Sequence, residues 1–383
     1  MTQISNQRSS IKYLQSSIAN LQPAFLSPAA LTLLVLTLVV ASVIHSAGGD
    51  PLALARLGTR FSQGDLTGSE GYDGQFVYYI ASNPNPESVA PLLDAPAYRY
   101  QRILLPLLAR WLALGNLGAI PWILAGLGII SQTAGTWVVS RLLAGWGVNP
   151  WYAMVYGLWV GFVLAVRLDL PEPLAYALVA GAILATLRGR PGLGWLLYGL
   201  AFFAKEVTVL FIAAQLIDNL YQRRWRSALG LVVVALVPYA LFQAWLWSAF
   251  GQLGIGSGGA MATPFELFPF MGLWRIGAYS LVYLMAMLVV IGPSIAFPAI
   301  WGVWISVRKW LTGQRNVIVL ALFINALVIP FLPFSTFREP GGVLRFACGL
   351  VLAVLLFAGK YKLKRVLNYS LFWLVLNVFV FKA

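Results

Sequence analysis

Cysteine and histidine are all but missing from this chain, with one of each, Cys348 and His45, in 383 residues. A lone cysteine inside an apolar run excludes a disulfide framework and a thiolate metal site. A lone histidine, placed at the end of the first apolar run, reads as an interfacial side chain and leaves no His/Cys set for zinc. Carboxylates are also scarce, twelve against 26 lysines and arginines. Charged residues make up 10% of the chain, where a soluble domain carries roughly 25%. Hydrophobic residues reach 60% and mean hydropathy is +0.80, so a water-covered globule is excluded. The apolar runs are long and do not alternate, which rules out an outer-membrane barrel. An all-α polytopic membrane protein remains. The net charge of +14 does not point to nucleic acid, because the basic residues are spread over many short loops, as the positive-inside rule requires.

The apolar runs predict about eleven spans, at 28–46, 118–140, 151–166, 173–187, 192–204, 206–221, 228–250, 276–306, 316–333, 344–358 and 366–381. The expected organisation is a polar cytoplasmic arm over 1–24 and a single transmembrane helical domain over 25–383. The first run is read as a retained span, and neither an internal repeat nor a soluble domain is expected. Residues 47–117 form a long first loop. Within it, 102–114 is too short to cross and is interrupted by Arg102 and Arg110, so an amphipathic helix lying on the bilayer is expected. A second larger loop covers 251–275, glycine-rich and then aromatic. Lys205-Glu206 leaves open whether 192–221 is two spans or one.

With a cytoplasmic amino terminus, 15 of the 26 basic residues lie inside, in short runs such as Arg223-Arg224-Trp225-Arg226 and Lys360–Arg365. Both larger loops, together with 167–173, 205–206 and 334–345, then lie outside. Eleven of the twelve carboxylates fall on that face and only Asp218 on the other. Five of them, Asp65, Glu70, Asp73, Glu87 and Asp94, crowd one stretch of the first loop. Acids beside hydrocarbon are costly, so a one-sided cluster marks a functional face.

Three groups carry chemistry. In Gly71-Tyr72-Asp73-Gly74-Gln75, glycines on both sides of Asp73 allow close approach of a ligand; the carboxylate suits a general base at a cavity rim or the N-cap of the helix that follows. In Arg167-Leu168-Asp169-Leu170-Pro171-Glu172-Pro173, the two acids could hold a divalent cation such as magnesium or manganese, or pair with arginine and cap the next helix. Outward cations at Arg99, Arg102, Lys205, Arg338 and Arg345 run against the topological bias. They suit a lipid phosphate or diphosphate, which arginine engages bidentately, or they anchor helices by snorkelling.

The order of these features resembles the GT-C superfamily of integral-membrane glycosyltransferases: a first span, an outer loop with an Asp motif, an interfacial helix, a second acidic motif, then Gly199-Leu200-Ala201 leading to Lys205-Glu206. The segments Tyr72-Asp73-Gly74-Gln75 and Tyr98-Arg99-Tyr100-Gln101-Arg102-Ile103-Leu104 are similar to bacterial cell-surface glycopolymer formation proteins. The resemblance covers roughly residues 25–220 by motif order. It implies a bacterial inner-membrane enzyme that moves a sugar from a polyprenyl-phosphate-linked donor to a glycan or lipid acceptor on the extracytoplasmic face, with inversion. Asp73 would be the catalytic base, and Asp169 and Glu172 would position the acceptor or a metal. Arg102, Lys205, Arg338 and Arg345 would hold the donor phosphate. Tyr72, Gln75, Tyr79, Arg99 and Glu206 would line the substrate site. The chain departs from protein mannosyltransferases in lacking an Asp-Glu pair at the first motif, which argues against a protein acceptor. Membrane lipids are expected partners, and membrane-protein partners are compatible with glycine-rich faces such as Gly126-Leu127-Gly128. The competing readings are a non-enzymatic lipid-glycan flippase or transporter and an accessory subunit of a membrane complex.

Overall fold

The computed structural model describes residues 27–378. The amino-terminal arm over 1–24, with Arg8 and Lys12, and the end of the last expected span lie outside the described residues. Every regular element among the described residues is helical. In chain order the elements used below are α1 (Pro28–Ser46), α2 (Gly74–Ser82), α3 (Pro96–Tyr100), α4 (Leu104–Leu112), α5 (Leu117–Gly145), α6 (Val160–Arg167), α7 (Glu172–Leu187), α8 (Pro191–Ala204), α9 (Val209–Tyr221), α10 (Trp225–Phe250), α11 (Leu281–Leu311), α12 (Val317–Phe331), α13 (Pro340–Lys360) and α14 (Lys364–Leu371).

Five of these, α1, α5, α10, α11 and α13, are long and apolar enough to cross a membrane. α7, α8 and α12 are apolar but span only 10–17 residues. At about 1.5 Å per residue they reach about 15–25 Å, less than a hydrocarbon core of about 30 Å. The expected count of eleven full spans is therefore not what the helix lengths support. The expected span over 151–166 is broken: one short helix ends at Gly157 and α6 begins at Val160. Gly157 lies so close to Thr32 and Thr136 that a Cβ there would stand 2.3 Å from Thr32 Oγ1. The carbonyls released at the break are taken up by Gln132, whose Nε2 donates to Tyr156 O (2.8 Å) and Gly157 O (3.3 Å). Backbone away from water demands such a partner. The stretch over 192–221 is two helices, not one continuous helix: Lys205 is extended (φ −156°, ψ 123°) and separates α8 from α9.

α13 is the central helix, with Cys348 through Gly359 all buried. α10 and α11 instead turn large apolar side chains outward, Leu241, Trp247, Val282, Val289 and Phe297 among them. A rim of exposed aliphatic and aromatic residues around a buried apolar axis suits a lipid solvent. Within the first loop α4 is a helix of nine residues with Leu107, Trp111 and Leu112 exposed. Arg110 on it donates to Ala81 O and Ser82 O (3.2 and 2.6 Å), which ties α4 to the end of α2.

Candidate functional site

The first loop, the Arg167–Pro173 turn, the Lys205 break and the start of α13 converge at one end of the bundle. Two glycines make the convergence possible. Gly71 has φ +68°, and a Cβ on it would meet Arg56 O and Gly58 N at 2.5 Å. A Cβ on Gly74 would stand 2.2 Å from Leu168 O, so the start of α2 rests directly on the acidic turn. On the other side Trp159 Nε1 donates to Leu344 O (2.9 Å), and Gly161 admits the same carbonyl, which seats α13 beside α6.

Asp73 occupies the residue before α2, yet its side chain caps nothing there. Its carboxylate faces two arginines instead, Arg99 Nη1 to Oδ1 at 3.0 Å and Arg345 Nη1 to Oδ2 at 3.4 Å. The cap reading of Asp73 is thereby replaced by an ion-pair role. Burial works to raise its pKa, but Arg99, then Arg345, Arg102 and Lys205 outweigh it and hold the carboxyl at about 2. At neutral pH it is a carboxylate, and a weak base while both arginines stay on it.

The cations are not free. Arg99 grips Asp94 through Nε–Oδ1 (2.7 Å) and Nη2–Oδ2 (2.9 Å), and its guanidinium stands 4.5 Å from the Phe76 ring centre. Arg102 holds Glu206 through Nε–Oε2 (2.8 Å) and Nη2–Oε1 (2.5 Å). Tyr98 OH also accepts from Arg102 (2.6 Å). Burial pushes Glu206 up, but Arg102 and then Lys205 bring it down to about 2. Lys205 Nζ donates to Glu172 Oε1 at 2.7 Å, with both side chains buried. Arg345 differs from the rest. It reaches Asp73 at 3.4 Å, Glu172 at 3.6 Å and Glu339 at 3.8 Å, all longer than the roughly 2.7–2.9 Å of a committed charge-assisted bond. Its one closer contact is Nε to Gly341 O at 3.2 Å. Four cations thus meet five carboxylates, counting Asp73, Asp94, Glu172, Glu206 and Glu339.

The expected site residues divide accordingly. Arg102 and Glu206 pair with each other and act on the rest only through longer-range charge, while Asp73, Arg99, Glu172, Lys205 and Arg345 form one ion-pair network. Tyr72 joins it, donating its hydroxyl to Glu339 while its ring lies 5.2 Å from the Arg345 guanidinium. Gln75 does not line a cavity. It is buried, with Oε1 accepting from Gly58 N–H (3.0 Å) and Nε2 donating to Glu70 O (2.7 Å), and so locks the preceding loop. Tyr79 packs in an apolar cluster with Phe76, Ile80, Val89, Leu93, Tyr100, Ile103 and Leu246. Arg338 is exposed and lies 5.8 Å from the Phe334 ring centre, in none of the ion pairs that build the network.

Asp169 stands apart as well. It is 3% exposed, has φ +51°, and neither carboxyl oxygen has a hydrogen-bond partner among the described residues. Burial pushes its carboxyl well above the usual carboxylate range. On this turn a divalent cation would have to compete with Lys205, which already holds one Glu172 oxygen. Among the described residues no three acids, histidines or cysteines gather to hold a metal. Asp94 was visible in the sequence only as one of five crowded acids, and nothing marked it as the partner of Arg99.

An apolar groove of about 820 Å³ lies elsewhere. It runs along α11 and α12 between Ile300, Trp304, Arg308, Leu327 and Phe331, and it is almost wholly apolar. No family model, curated protein or solved structure matches the chain.

Proposed function

We propose that this protein is a GT-C-type glycosyltransferase that moves a sugar from a polyprenyl-phosphate-linked donor to a hydroxyl acceptor on the extracytoplasmic face of the bacterial inner membrane. The observation that carries this reading is the pairing of a partly exposed carboxylate with a buried, loosely held guanidinium. The Asp73 side chain is 28% exposed, and that of Arg345 is 10%.

The resting network carries one more negative than positive charge, so an incoming phosphate must displace a carboxylate. The two acids on Arg345 that face outward are Asp73 and Glu339, while Glu172 is 1% exposed and held by Lys205. Phosphate on Arg345 releases Asp73 from one of its two arginines and raises its basicity, because the charge that held the proton off is now shared. Asp73 then takes the acceptor hydroxyl proton. The acceptor oxygen bonds to the sugar's anomeric carbon, and the carbon–oxygen bond to phosphate breaks with its electron pair, leaving polyprenyl phosphate and an inverted centre. Arg345 and Lys205 stabilise that leaving charge in a site where water is scarce. The groove along α11 and α12 offers apolar surface for a prenyl chain.

Mass spectrometry of lipid extracts from the protein purified in native membrane discs tests this reading. The expected result is a polyprenyl-phosphate-linked sugar retained by the wild type and lost from Arg345→Ala. Equal retention by both removes Arg345 from the phosphate site, and no such lipid in either contradicts the donor class.

A further inference from the structure

The segment from residue 254 to 264 is rich in glycine and alanine and belongs to no helix. It is nevertheless pinned across the mouth of the site. Gly254 and Ile255 both donate their N–H groups to Gln243 Oε1 (2.9 and 3.0 Å). Ala260 N–H donates to Asp94 Oδ2 (3.2 Å). Thr263 N–H donates to Ser335 Oγ (3.1 Å), and Ser335 N–H returns a bond to Thr263 Oγ1 (3.0 Å). Between these anchors Gly259 lies flat on the ion pair, where a Cβ would stand 3.0 Å from Arg99 Nη2 and 3.2 Å from Asp94 Oδ2.

Asp94 is therefore fully engaged. Oδ1 accepts from Arg99 Nε, and Oδ2 accepts from both Arg99 Nη2 and the strap backbone. The remaining Arg99 nitrogen, Nη1, holds Asp73. A guanidinium is a rigid plane, so an aspartate that grips one edge dictates where the other edge points. Strap, Asp94, Arg99 and Asp73 form one mechanical chain, and the strap has no bulky side chain between Gly256 and Ala260 to resist lifting.

We propose that Asp94 is a positioning residue: it couples seating of the 254–264 strap to the placement of Asp73 through the Arg99 fork. The strap then acts as a cover whose closure completes the site. The coupling to transfer rests on the glycosyltransferase reading; the coupling of strap to Asp94 does not.

Hydrogen–deuterium exchange on the full chain in lipid nanodiscs, without donor, reads the first half. Asp94→Ala removes a backbone acceptor and should speed exchange in peptides covering 254–264 by about fivefold or more. Gly259→Ala, which crowds Arg99 and Asp94 without removing a charge, should do the same and serves if the aspartate variant fails to fold. The second half is read by transfer kinetics with the lipid-linked sugar fraction of the native membranes as donor. Asp94→Ala should lower kcat with donor KM unchanged, and Asp94→Glu should restore part of both kcat and exchange protection. Unchanged strap exchange in both variants overturns the strap's anchorage. Faster exchange with unchanged kcat overturns the positioning role.

Discussion

The Arg102–Glu206 pair decides between two roles that the sequence leaves open, and a double-variant cycle separates them. Glu206→Gln leaves the Arg102 guanidinium without its carboxylate, at a site where the two side chains are 12% and 16% exposed and only neutral acceptors, Tyr98 OH and one amide oxygen, remain. Removing one member of a buried pair costs about 3–5 kcal/mol, whereas replacing both with apolar side chains of similar size is often neutral or better. Partial exposure puts the single variant at the low end, about 3 kcal/mol by that rule. At roughly 2 °C per kcal/mol for a large domain, it should melt about 6 °C below wild type. Arg102→Met/Glu206→Met should melt within a degree or two of wild type and keep its transfer activity, because this arginine is consumed by its glutamate. Thermal unfolding in nanodiscs, followed by the fluorescence of the 15 tryptophans, gives the melting order. A double variant that melts as low as the single one refutes the pair energetics. A stable double variant without transfer refutes the structural role and returns Arg102 to the donor phosphate.

Two further outcomes are expected. Burial raises the Asp169 carboxyl well above the usual range, whereas in the unfolded chain it ionises above about 3.9. The stability it contributes is full below that value and drains as pH rises toward the raised folded-state value. Asp169→Asn escapes that loss, so it should match wild type near pH 4 and melt higher at pH 8; a pH-independent difference contradicts the assignment. Gly74→Ala brings a Cβ to 2.2 Å from Leu168 O, a backbone atom with nowhere to go. It should cost roughly 1–3 kcal/mol and depress transfer by displacing Asp73, and a wild-type melting curve would show that the contact is slack.

The parts of the molecule legible in its sequence are those set by local pattern. Apolar runs mark α1, α5 and α10 to within a few residues, and the glycines around Asp73, the prolines after Asp169 and the polar Lys205-Glu206 step mark the breaks. Pairing is not local. Glu172 meets Lys205 across 33 positions, Arg102 meets Glu206 across 104, and Asp73 meets Arg345 across 272. No periodicity encodes such contacts, and so Asp94 went unseen while Arg338, a neighbour of Glu339 in the chain, was grouped with Arg345. The two acids of the Arg167–Pro173 turn look equivalent as letters. Three residues of separation put Glu172 at the start of α7 against Lys205 and leave Asp169 buried without a hydrogen-bond partner among the described residues. Hydropathy likewise misjudged the region over 151–166, where apolar composition conceals a break stitched by Gln132.

The most direct test of the account is transfer by Asp73→Asn. This change preserves shape, and both arginines keep other carboxylates, Asp94 for Arg99 and Glu172 and Glu339 for Arg345, so folding should stay intact. Loss of a general base is worth about 10²–10⁴ in rate. The expected result is a folded, donor-retaining protein whose transfer of the lipid-linked sugar falls by that factor, and transfer at the wild-type rate would contradict the central role given to this carboxylate.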